Sequence, residues 1–395
     1  MKKFTLFIAA IMASAAMFAE VTVEKLVQVT PETSVYDVAV SPDGSTLYAA
    51  KQKVSVEVYD AKTLELKGSL KAPTALPAYG SAVAVDDNGA IYTVYALISK
   101  WGELTVYKWA DANADAQVFT KIGNGTDYGV TTDFRCGYGF DVKINNEGNG
   151  FILYPLPSYK NAETTFVAGA SVIYVPVTNN EAGTPQLLTL SETNWGIFPD
   201  VTIVDETTFW YDANATQPQL CTLSLTDGVA SIASIKSFPN MTEPVMAPHA
   251  VGITDFELAG TRYVAVGSNN HASTVDGEGN PNGRLFKNLA MLASVEVEET
   301  ISATWLAQLP EGGFGTNTND VAAVRAAHYV NGNEAWVWTN AKSNGMAVTK
   351  ITASSTTTAI DNTTVAPQVQ KIIRDGQVLI IRDGKTFNMM GQEVK

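Results

Sequence analysis

One phrase recurs along the middle of this chain: a short apolar run, a turn of Asp, Asn, Gly or Pro, and a second apolar run. It first stands at Val38-Ala39-Val40, Ser41-Pro42-Asp43-Gly44 and Leu47-Tyr48. It returns at Val83-Ala84-Val85 with Asp86-Asp87-Asn88-Gly89 and Ala90-Ile91-Tyr92, and at Val142-Lys143-Ile144 with Asn145-Asn146-Glu147-Gly148 and Phe151-Ile152-Leu153. Further copies are Val201-Thr202-Ile203 with Asp205-Glu206 and Thr208-Phe209-Trp210, and Val251-Gly252-Ile253 with Thr254-Asp255 and Tyr263-Val264-Ala265-Val266. A sixth, with extra residues before its turn, runs from Val321-Ala322-Ala323-Val324 through Asn331-Gly332-Asn333 to Ala335-Trp336-Val337-Trp338. Apolar alternation is the signature of strands, and Pro with preset φ and Gly at positive φ make the turns. A several-stranded repeat of roughly 40 to 50 residues is the period of a β-propeller blade. The longer intervals carry insertions, Tyr154 to Thr165 and Ser268 to Asn288. A single four-stranded blade cannot bury both faces, whereas blades stacked radially cover one another. The expectation is an all-β, six-bladed β-propeller, with seven blades the alternative. Val21, Val23, Leu26, Val27 and Val29 within Glu20 to Val29 form the strand expected to close the ring with the last blade.

The ends read differently. Lys2 and Lys3 precede an uncharged apolar run, Phe4 to Ala19, with small residues at Ala13 to Ala16. This is the pattern of a secretory signal peptide over residues 1–19. No later stretch is long and apolar enough to span a bilayer. The propeller is expected over 20–353. A Thr-rich linker follows over 354–367, then a C-terminal β tail over 368–395. In the tail, Val369 to Ile373 and Val378 to Ile381 read as a small hairpin about Arg374-Asp375-Gly376, with Arg382-Asp383-Gly384 a second turn. The net charge of −14 argues against a nucleic-acid partner, which needs clustered Lys and Arg. Cys136 and Cys221, the only two cysteines, either pair after export or act as small hydrophobes.

Three resemblances sharpen this. Val38 to Lys67 resembles a blade of the YVTN-type propeller repeats, whose members are surface-exposed. The whole chain resembles secreted propeller-like proteins of domain-of-unknown-function families. The tail, GQVLIIRDGKTFNMMGQEVK, is similar to the sorting domains of type IX secretion cargo, with Gly384, Lys385, Asn388, Gly391 and Lys395 in the matching places. That resemblance implies recognition by an export machinery and passage across a Gram-negative outer membrane, to the cell surface or the medium. The periplasm is the alternative location.

Few residues carry chemistry. Acidic residues stand just before several of the opening apolar runs: Asp37, Asp141, Asp200 and Asp320, with His249 near the fifth. On superposed blades they ring one mouth of the central channel. Converging carboxylates raise one another's pKa and attract cations or sugar hydroxyls. The bland reading is that each accepts backbone N–H groups, as Asx turns do. Trp101 and Trp195, near Gly or Asn in expected loops, are candidate aromatic ligand contacts. Trp336 and Trp338 share one strand face and are expected to fill space between blades. Asp276, Glu278, Asn280 and Asn282 alternate as calcium ligands do, but Pro281 stands where an EF-hand needs Gly, and no Glu follows at the twelfth position. No other cofactor is expected. His249, His271 and His328 lack zinc-site spacing, and no P-loop, GxGxxG, GxSxG or CxxC motif occurs. The functional expectation is a non-enzymatic module binding an extracellular glycan or protein. The alternatives are a glycan-active hydrolase or lyase using the channel carboxylates, and a structural surface component.

Overall fold

The middle strand of each repeat is apolar at successive positions, so both of its faces need cover. Along Thr46–Lys51, Leu47 and Ala49 point to one side while Tyr48 and Ala50 point to the other, and all four are buried. A computed structural model of the chain shows how that cover is supplied. It describes residues 21–51, 56–73, 80–95, 103–128, 139–156, 169–191, 199–213, 216–238, 250–268, 288–315, 324–354, 370–374, 377–382, 385–388 and 394. Residues 1–353 form one unit and 354–395 a second.

The first unit is a six-bladed β-propeller. Each blade is an antiparallel meander of four strands, numbered here from the inside out. Blade 1 runs Val35–Val40, Thr46–Lys51, Glu57–Asp60 and Leu66–Ser69, and blade 2 runs Gly80–Val85, Ile91–Tyr95, Leu104–Trp109 and Gln117–Gly123. Blade 3 has Asp141–Ile144, Gly150–Leu156, Ala170–Thr178 and Gln186–Ser191, with the short Glu181–Ala182 folded onto its third strand. Blade 4 has Asp200–Ile203, Thr208–Ala213, Thr216–Thr226 and Val229–Ser237; blade 5 has Ala250–Leu258, Thr261–Ser268, Leu289–Val297 and Ile301–Leu309. Blade 6 has Arg325–Asn331, Glu334–Ala341 and Gly345–Ala353, and its fourth strand is the N-terminal Val21–Val29. Among the described residues the one helical turn is Gly125–Tyr128.

Six buried apolar clusters hold this unit, each shared by two neighbouring blades. Trp109 with Tyr48 and Ile91 fills the seam of blades 1 and 2, and Trp210 with Phe238 and Val264 that of blades 4 and 5. Trp336 and Trp338 fill the seam of blades 6 and 1, where the Trp338 indole N–H donates to Ala61 O at 2.6 Å. A blade without its neighbours therefore exposes both apolar faces.

The closing strand pairs antiparallel with Gly345–Ala353, from Val21 opposite Ala353 to Val29 opposite Met346. A bulge interrupts it between Lys25 and Val27. One inserted residue reverses the faces of a strand. Val21 and Val23 accordingly pack on the seam of blades 5 and 6, while Val27 and Val29 pack on that of blades 6 and 1.

Two expectations are corrected. The sixth inner strand starts at Arg325, beyond the apolar run Val321 to Val324 that was read as its opening. The tail is a three-stranded antiparallel sheet, not a hairpin: Gln370–Arg374, Gln377–Arg382 and Lys385–Asn388. Two Asp-Gly pairs separate these strands in sequence, and each favours a two-residue reversal, so two turns make three strands.

Candidate functional site

The inner strands line a channel cavity of about 190 Å³. At one end of it the first-strand positions bring together Asp37, Asp141, Asp200 and Arg325. Arg325, like Asp141 and Asp200, is the first residue of its inner strand. Its guanidinium pairs with the Asp200 carboxylate across the intervening blade 5, and both groups are largely buried. Gly252 of blade 5 makes room: a Cβ there would lie 2.6 Å from Val324 O and 3.1 Å from Arg325 Cδ, and its φ is +98°. Asp212, fully buried, stands opposite Asp200 on the adjacent strand.

The carboxylates are tied into the wall. Asp37 accepts from its own strand at Val38 N (2.9 Å) and from blade 2 at Val83 N (3.0 Å). Asp141 repeats this, accepting from Val142 N (2.8 Å) and from blade 4 at Ile203 N (2.7 Å). Asp212 accepts from Gly252 N of blade 5 at 2.9 Å. Each links one blade to the next. At the other end of the cavity His328 Nδ1 lies 2.6 Å from Thr254 Oγ1, joining blades 5 and 6.

Burial, with Asp200 as the like-charged neighbour, pushes Asp37 up to about 7; burial pushes Asp141 to about 7 as well. Burial also raises Asp200 and Asp212, and holds His328 down at about 4. Unfolded carboxylates titrate near 4, so between about pH 4 and 7 the native state holds more protons than the unfolded one. Stability from these acids is therefore fully present below pH 4 and lost as pH rises through about 7. His328 runs the other way, but only below its unfolded value of about 6.5. Thermal melts should thus show a falling midpoint from pH 6.5 to 8; a flat or rising midpoint over that interval contradicts the buried-acid assignment.

The structure thus brings Asp37, Asp141 and Asp200 to one end of the channel. His249, Asp320, Trp101, Trp195, Cys136, His271, Asp276, Glu278, Asn280 and Asn282 lie outside the described residues, as do Gly384, Gly391 and Lys395 of the tail. Lys385 and Asn388 are on the last tail strand. Cys221 is buried in the seam of blades 3 and 4, which pushes its thiol up to about 12. Among the described residues no group of His, Cys, Asp or Glu has metal-holding geometry. The residues that sequence reasoning missed are Arg325 and Asp212. A lone Arg among Val324, Ala326 and Ala327 was a legible signal for the first; nothing marked the second.

Fold and site define a six-bladed β-propeller whose channel is crossed by an internal ion pair. No family model matches the chain, and no curated protein does. Among solved structures it is similar to a DUF4623 family protein from Bacteroides eggerthii DSM 20697, with a TM-score of 0.59 and 13% identity over 85% of this chain and 76% of that one. It also aligns with the RRP9 WD40 repeats at a TM-score of 0.46 and 9% identity, over 85% of this chain and 100% of that one. At such identities the likeness concerns the fold alone.

Proposed function

We propose that this chain is an exported, non-enzymatic propeller that binds an extracellular glycan or protein on one of its faces. The observation that carries this is the unequal length of its connections. On one face every turn is short, such as 86–90, 145–149, 204–207, 227–228, 259–260 and 332–333. The opposite face, where the inner strands begin, receives the long connections 96–103, 124–140, 157–169, 238–249, 269–288 and 310–324. Variable segments on a rigid scaffold are where recognition concentrates. Trp101, His249, Asp276 and Asp320 stand within these segments in sequence, and Trp195 within 192–199.

Binding is favoured over hydrolysis because both oxygens of Asp37 and of Asp141 already accept backbone N–H groups, and Asp200 is paired. A general acid needs a free carboxyl within reach of substrate. The leader-like residues 1–19 and the sorting-like tail support export to the cell surface or the medium of a Gram-negative cell. No helix of the described residues is long and apolar enough to cross a membrane.

Two experiments test this. A glycan and protein array is probed with the purified chain; turnover of a substrate, or silence with ordered self-association, removes the binding reading. Cells making the chain with and without residues 366–395 are fractionated. The full chain is expected outside the outer membrane and the shortened one behind it; identical distributions remove the sorting role.

A further inference from the structure

Blade 1 carries a charged cluster that the channel does not use. Lys51 ends the second strand and is only 3% exposed. Its ammonium lies 2.7 Å from Glu57 Oε2, and the Tyr59 hydroxyl donates to that same oxygen. The three line a cavity of about 310 Å³, between the blade and the segment Thr30 to Thr33 that leaves the closing strand. Its apolar wall includes Leu66, a large apolar side chain that is 53% exposed.

Taking an ion pair out of water costs several kcal/mol, and an apolar pair of similar volume is commonly as stable or more so. Packing alone therefore does not account for Lys51 and Glu57. Their spare valences point into use. An ammonium has three donors, and among the described residues one is engaged, by Glu57. Glu57 Oε1 has no donor among the described residues. Burial, with Glu57 beside it, raises the Tyr59 hydroxyl far above its ordinary range, so Tyr59 keeps its proton and stays a donor.

We propose that this cavity binds a neutral sugar residue. A simple anion meets Glu57 and a simple cation meets Lys51, so the mixed pair disfavours both. Two neighbouring hydroxyls satisfy it, one accepting from Lys51 and the other donating to Glu57 Oε1. The C–H face of the ring rests on Leu66 and Pro31. The volume sits at the lower bound of small-ligand sites, about 300 to 1,000 Å³. The site lies on the face where the inner strands begin but takes none of its residues from the long connections named above, so it stands or falls without them.

The test is saturation-transfer NMR on the full chain with D-glucose, D-galactose, D-mannose and N-acetyl-D-glucosamine, and acetate and methylammonium as charged controls. At least one sugar is expected to bind and neither control to compete. The triple variant K51M/E57L/Y59F, which leaves no hydroxyl without its acceptor, should keep or raise the melting temperature and weaken that sugar by on the order of tenfold to a hundredfold. Leu66→Ala, on an exposed side chain with little bearing on folding, should weaken it roughly fivefold. Binding of no sugar, equal binding by both variants, or competition by a charged control each overturns the proposal.

Discussion

A chain shortened to begin at Thr30 should lose its closed ring. Residues Val21 to Val29 supply the fourth strand of blade 6, and removing them strips Gly345–Ala353 of its partner along the whole register. Gly345–Ala353 then keeps only Glu334–Ala341 as a neighbour, and an exposed sheet edge of that length is a template for association with other chains. Four valines leave two seams at once. At about 1 kcal/mol each for partly buried side chains, that is roughly 4 kcal/mol, a large share of the 5 to 15 kcal/mol that holds most proteins folded. The expected outcome is a markedly lower melting temperature and soluble oligomers on size-exclusion chromatography. A synthetic peptide of residues 20–30 should restore the monomer. A shortened chain that elutes and melts like the parent refutes closure by this strand.

Replacing Arg325 by Met should be the most damaging single change in the channel. It leaves Asp37, Asp200 and Asp212 around a buried space without their cation. Removing one partner of a buried pair typically costs about 3 to 5 kcal/mol. The loss should be greatest at pH 8, where the acids are driven to ionise, and smaller at pH 5, where they hold protons. Adding Asp200→Asn and Asp212→Asn to R325M should recover much of it. Denaturant midpoints at the two pH values measure this. An equal loss at both, or no recovery in the triple variant, shows that Arg325 acts by packing and not by charge.

How much of this was readable beforehand follows from what repeats and what does not. Blade number and the closing strand were legible because alternation and turn chemistry recur with a period, and because Val21 to Val29 alternates with no other strand beside it in sequence. Asp37, Asp141 and Asp200 were legible as a set because each directly precedes an apolar run. Arg325 was obscured because the better-looking apolar run, Val321 to Val324, precedes the strand. Asp212 was invisible for another reason: its place beside Asp200 depends on cross-strand register, and register is a property of two segments. The same holds for Lys51, whose link to Glu57 and Tyr59 exists only once the hairpin of blade 1 is formed.

Val21 lies opposite Ala353, so the first and last residues of the ring leave it side by side. Whatever grips the chain by a leader before residue 21, or by an appendage after residue 353, takes hold at a single corner.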